Sequence, residues 1–145
     1  MTEVVEYKAE HGITLVQQQT RDEEAWFRNV TTLADLMAEK EKGHAWTLLK
    51  DGEAVACGGF YRYEGDTAEA WYIVSPKAWE HRRWLFQIVR NIVDTFIAET
   101  GKTLKGHVLI NDRAGRSWAK HMGFIETPGI IIDKGQEYTL WERKA

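Results

Sequence analysis

The chain has one cysteine in 145 residues, Cys57, which excludes a disulfide framework and any zinc site built from several thiolates. No glycine occurs between Gly65 and Gly101. Every residue of that stretch therefore carries a Cβ, and none gives an anion the close backbone approach that a glycine turn allows. No apolar run is long enough to span a bilayer. Met1 to Glu10 carries acids and no apolar core, so it does not read as a signal peptide. A soluble, cytoplasmic protein is the resulting expectation. The formal net charge of -3 gives no general electrostatic pull on nucleic acid and leaves only a local patch around Arg82, Arg83 and Arg90. There is no internal repeat and no low-complexity linker, so residues 1–145 read as a single domain, long enough to bury a core.

What is present is ordinary for a globular protein, except for seven tryptophans. Tryptophan serves both as core mass and as the lining of clefts and partner surfaces, and core packing is the simpler reading. Gly12 to Gln19 reads as a first strand. Thr20-Arg-Asp-Glu23 is a capping box opening a helix with Trp26, Phe27 and Val30 on its apolar side. A second helix starts at Thr32, carries Leu33, Leu36 and Met37, and ends near Gly43. The period then changes. Ala45–Lys50, Glu53–Tyr63 and Thr67–Val74 read as three antiparallel strands, joined by turns at Asp51-Gly52 and Glu64-Gly65-Asp66.

Pro76, with Ser75 as cap, opens a long helix ended by Gly101. Its stripe of Leu85, Ile88, Val89, Ile92, Val93, Phe96 and Ile97 has helical period and must be buried. Leu104–Ile110 reads as a central strand, and Asp112 caps a short helix through Met122. Phe124–Asp133 and Glu137–Arg143 read as two final strands joined by Lys134-Gly135-Gln136. This order predicts an α+β sheet with helices on its faces.

Two runs carry a family resemblance. One is Ala68-Glu-Ala-Trp-Tyr-Ile-Val74, followed by Pro76 and the long helix. The other is Val108-Leu-Ile-Asn111, a short helix, then Met122-Gly-Phe124. Together they resemble the GNAT superfamily of N-acetyltransferases. The resemblance implies a mixed, mainly antiparallel sheet with a long central helix and flanking helices. It also implies acetyl-CoA as co-substrate and a small amine or a protein amino group as acceptor. Ile73 and Val74 would then pair with the pantetheine arm, and Asn111 would border the cofactor. Glu69 resembles the family's glutamate base. The run from Trp71 to Pro76, the basic start of the long helix, and then Asn111 and Gly123 also resemble small GNAT-like proteins of short-tailed bacteriophages, including internal virion and morphogenesis proteins. That likeness implies an alternative: a catalytically inactive protein that binds a phage or host protein in the host cytoplasm.

The chain departs from the family in two places. Where GNAT enzymes set two glycines at the start of the long helix, this chain has Arg82 and Trp84. Either His81, Arg82 and Arg83, with Lys77, replace the amide cradle by side-chain cations, or these residues are a solvated helix face and Trp84 blocks the cradle. The family's usual tyrosine acid falls at Ala119. His121 and Tyr138 are the nearest substitutes; His44 and His107 carry no separate signal. No His/Asp/Glu spacing suggests a metal, and Ser117 has no nucleophile motif.

Overall fold

The computed structural model describes residues 2–17, 33–133 and 135–145. They form two compact units, each made of two stretches of chain. One is Met1–Arg62 with Ala70–His81; the other is Tyr63–Glu69 with Arg82–Ala145. The architecture is a mostly antiparallel sheet with one long helix and flanking helices, as expected.

In the first unit, β1 (Thr2–Glu6) runs antiparallel to β2 (His44–Lys50), and β2 runs antiparallel to β3 (Glu53–Glu64) with a bulge at Leu48/Leu49. β3 neighbours β4 (Thr67–Val74). The helices are α1 (Ala9–Gln17) and α2 (Leu33–Glu39), the latter followed by a 3₁₀ turn at Lys40–Lys42. The capping box at Thr20–Glu23, the helix it opens and the start at Thr32 lie outside the described residues.

The expected strand at Gly12–Gln19 is corrected: its first part lies in α1, and the first strand is β1. The β-branched run around Leu15 suggested a strand, but Ala9, Ile13 and Val16 recur at helical spacing and belong to the core with Tyr7, Leu15, Met37, Cys57, Ile73 and Trp71. Gly12 is there because the packing is close. A Cβ on it would lie 2.5 Å from Met37 Sδ and 2.7 Å from Tyr7 Oη.

That core holds an unusual cation. Lys40 is buried, donates to Tyr61 Oη at 3.3 Å, and sits 4.5 Å from the Tyr61 ring centre and 5.1 Å from that of Trp71. The ring faces solvate the ammonium where water is scarce. Burial pushes the Cys57 thiol and the Tyr7 phenol up from their ordinary values, although the Lys40 charge pulls Cys57 back. Both groups are neutral at physiological pH. Trp46, Trp118 and Trp141 are buried and Trp71 packs against the core cluster, so for these four core mass is the role.

In the second unit, the start of β4 pairs in parallel with β5 (Thr103–Leu109), in registers running from Thr67↔Thr103 to Glu69↔Lys105. A parallel pair needs a crossover, and α3 (Arg82–Thr100) supplies it. Its buried residues are Leu85, Val89, Val93 and Phe96. Gly101, at φ 67°, ends it by donating to the Ile97 carbonyl at 2.8 Å. The helix expected from Pro76 begins differently. Pro76–His81 is a 3₁₀ turn and the α-helix starts at Arg82. Ser75 opens the turn, its carbonyl accepting from Ala78 N at 3.0 Å and its hydroxyl from the same amide at 3.3 Å.

α4 (Arg113–His121) is capped by Asp112, which accepts from Gly115 N at 2.8 Å. The strand expected at Phe124–Asp133 is two short ones, β6 (Ile125–Glu126) and β7 (Ile131–Asp133), both antiparallel to β8 (Gln136–Arg143). Between them lie Pro128, which has no amide to give a ladder, and Gly129 at φ 102°. β8 also runs antiparallel to β5. Arg143 ties three elements together: it donates to the Met122 carbonyl at 2.9 Å and pairs with Asp94 of α3 at 2.5 Å.

Candidate functional site

Glu69 lies at the last register of the parallel ladder, opposite Lys105. Strand alternation puts His107, two residues beyond Lys105, on the same face. The two side chains meet: His107 Nδ1 lies 3.2 Å from Glu69 Oε1. The Glu69 side chain is 21% exposed and that of His107 40% exposed, so the pair is open to solvent on one side. Tyr138 of β8, opposite Leu109, makes a T-shaped contact with His107, the ring planes 89° apart and their centres 6.5 Å apart. Glu142, opposite Lys105, completes a face bearing two acids, a lysine, an imidazole and a phenol.

His107 is the residue that the sequence did not reveal. Its partnership with Glu69, 38 positions away in the chain, depends on the parallel pairing of β4 with β5, which no local pattern encodes. The nearest available signal was the period-two alternation of β5.

The other expected site residues are distributed as follows. Ile73 and Val74 are buried at the end of β4 in the first unit, where the following Ser75 N donates to Val55 O at 2.9 Å. His81, in the same unit, is exposed, and its Nε2 lies 2.6 Å from Lys50 Nζ, which makes it the acceptor of a lysine proton. In the second unit, Arg82 and Arg83 are exposed on the first turn of α3 and Trp84 is half-buried beside them. Asn111 is exposed in the turn between β5 and α4, where Asp112 N donates to Leu109 O at 2.9 Å.

Ala119, where the resemblance leads one to expect the family's tyrosine acid, is buried. His121 is engaged structurally: its ring stacks on Phe86 at 4.9 Å, its Nδ1 meets Ser117 O at 2.8 Å, and its carbonyl accepts from Arg90 at 2.6 Å.

These positions decide what an anion would meet. Arg82 and Trp84 carry side chains where a glycine turn would not, and a 3₁₀ turn spends its later amides on its own carbonyls, as Ala78 does on Ser75. An amide-lined pyrophosphate cradle does not fit this entrance. Two adjacent exposed guanidiniums do suit a phosphate, through charge-assisted hydrogen bonds.

No family model and no curated protein matches the chain. Solved structures do. The ribosomal-protein-S18-alanine N-acetyltransferase from Escherichia coli superposes with a TM-score of 0.68 at 14% identity, covering 99% of this chain and 94% of that one. A GNAT-family acetyltransferase from Bacillus anthracis gives 0.70 at 11% identity, with 99% and 94% covered. The Salmonella typhimurium protein yncA, solved with its cofactor acetyl-CoA, gives 0.70 at 12% identity, with 99% and 93% covered. The chain therefore has the fold of the GNAT acetyltransferases.

Proposed function

We propose that this chain is an acetyl-CoA-dependent N-acetyltransferase acting on a small amine or a protein amino group. The observation that carries the reading is the hydrogen-bonded Glu69–His107 pair, on the parallel β4–β5 strand pair of a GNAT fold. Aminolysis of a thioester requires a neutral amine, and a positioned acid–base pair open to solvent supplies the proton acceptor. The amine nitrogen then bonds to the acetyl carbon, the carbon–sulfur bond breaks with its electrons on sulfur, and the proton lost by the new amide leaves the sulfur as a thiol.

Acetyl-CoA, when bound, supplies the activated acetyl group. On this reading Arg82 and Arg83 hold its phosphates by side-chain charge, while the neighbouring His81, whose Nε2 accepts from Lys50, adds no charge of its own. The backbone at Ile73 and Val74 pairs with the pantetheine arm, and Asn111 borders it. Acetyl-CoA should raise the melting temperature as its concentration climbs above its dissociation constant. Replacing Arg82 and Arg83 together by alanine should weaken that shift and make the remainder less sensitive to salt. No shift at millimolar acetyl-CoA would end the reading.

A second reading is favoured by the residues at the glycine positions and by the buried Ala119. In it the chain is a catalytically silent GNAT-fold protein that works by binding a protein partner, in phage particle assembly or against a host factor. It predicts a stoichiometric partner in a pulldown from infected cells together with no response to acetyl-CoA.

A further inference from the structure

We infer that the proton acceptor of the Glu69–His107 pair is His107 Nε2, with Glu69 acting as the positioning residue that fixes the imidazole. The inference rests on the acetyltransferase reading and assigns roles within its pair. An ionised carboxylate only accepts hydrogen bonds, so the contact between Glu69 Oε1 and Nδ1 at 3.2 Å requires the ring proton to sit on Nδ1. The neutral ring then carries its lone pair on Nε2, the nitrogen that Glu69 does not engage. His107 is the more open of the two, with a side chain 40% exposed against 21% for Glu69. The Tyr138 ring stands nearly perpendicular to the imidazole, at 89°, with centres 6.5 Å apart. Lys105 and Glu142 occupy the same face as a directly opposed pair, and Lys105 also stands opposite Glu69.

The step is a single proton transfer. One N–H bond of the substrate ammonium breaks, a bond to His107 Nε2 forms, and the electron pair stays on the amine nitrogen. The imidazolium, stabilised by the Glu69 carboxylate, returns its proton to water.

The ring tautomer tests this without reference to turnover. In ¹⁵N-histidine-labelled protein, long-range proton–nitrogen correlation should place the His107 proton on Nδ1. Glu69→Gln, which keeps an acceptor oxygen, should preserve that form, and Glu69→Ala should lose it. In acetyl transfer, His107→Ala should lower kcat by about 100-fold or more, with the acetyl-CoA melting shift intact. Glu69→Ala should lose less, and Glu69→Gln least. A proton on Nε2 in the unmodified protein overturns the assignment, as does a His107→Ala variant that keeps its rate while Glu69→Ala loses it. A chain that shows no acetyl-CoA shift at all fails earlier, at the acetyltransferase reading, and the base role falls with it.

Discussion

Gly58 is the position where the packing of the first unit is most directly testable. It lies on β3 opposite Trp46, and the indole covers it. A Cβ there would stand 2.8 Å from Trp46 Cζ2 and 2.9 Å from the backbone oxygen of Trp71. Both distances are shorter than real Cβ contacts, and one neighbour is main chain of β4, which cannot rotate away. Trp46 is 7% exposed, so its ring cannot give way without leaving its buried site. The Gly58 backbone is not in the left-handed region, so alanine meets no φ penalty and gains about 0.4–1 kcal/mol from a stiffer unfolded chain. Overpacking of this kind costs about 1–3 kcal/mol. At the midpoints of the two ranges the net loss for Gly58→Ala is about 1.3 kcal/mol, or about 3–5 °C in Tm for a chain of this size. Thermal unfolding followed by circular dichroism reads it directly. In a Trp46→Leu background the penalty should shrink, because one of the two obstacles is gone. A Gly58→Ala protein that melts at or above the parent temperature, or a penalty unchanged by Trp46→Leu, would refute the steric argument.

Two further stability predictions concern charge and capping. The hydrogen bond from Arg62 holds the Glu39 carboxyl below its ordinary value of 4.5, so its contribution is present at neutral pH and fades as pH falls through the lowered value. Glu39→Gln should therefore melt slightly below the parent at pH 7, with the gap closing under acid, as Tm measured against pH would show; because the side chains are 38% and 48% exposed, the gap stays within about 1 kcal/mol. Asp112→Ala removes the acceptor for Gly115 N and should cost about 1 kcal/mol in urea denaturation, with Asp112→Asn recovering most of it.

The parts of the fold that were legible in the sequence are those set by neighbours in the chain. Thr67–Val74 is the strand that alternation and flanking turns define. Leu85, Val89, Val93 and Phe96 form the stripe that helical period requires, and Gly101 and Asp112 act as the stop and the cap that their chemistry suggests. The misreadings arose where local preference and packing disagree. Around Leu15, β-branched residues favour a strand, while the core contacts of Ala9, Ile13 and Val16 select a helix. After Ser75, proline and cap are compatible with either helix type, and a 3₁₀ turn at Pro76–His81 precedes the α-helix. β1 was invisible because its residues are mostly exposed and polar, and it exists through pairing with β2. In the candidate site, Glu69 could be named from its strand, but His107 needed the register between two strands, which is a tertiary fact.

One surface has a practical bearing. Ile125 and Ile132 are 74% and 71% exposed, and Ile130 and Ile131 lie between them in sequence, also exposed. Methyl groups held against water drive contact that strengthens on warming from low temperature, so adhesion between molecules at this ridge should grow between the cold room and the bench. Concentrated stocks would keep best chilled, and a single lysine at Ile132 should raise the concentration at which they cloud.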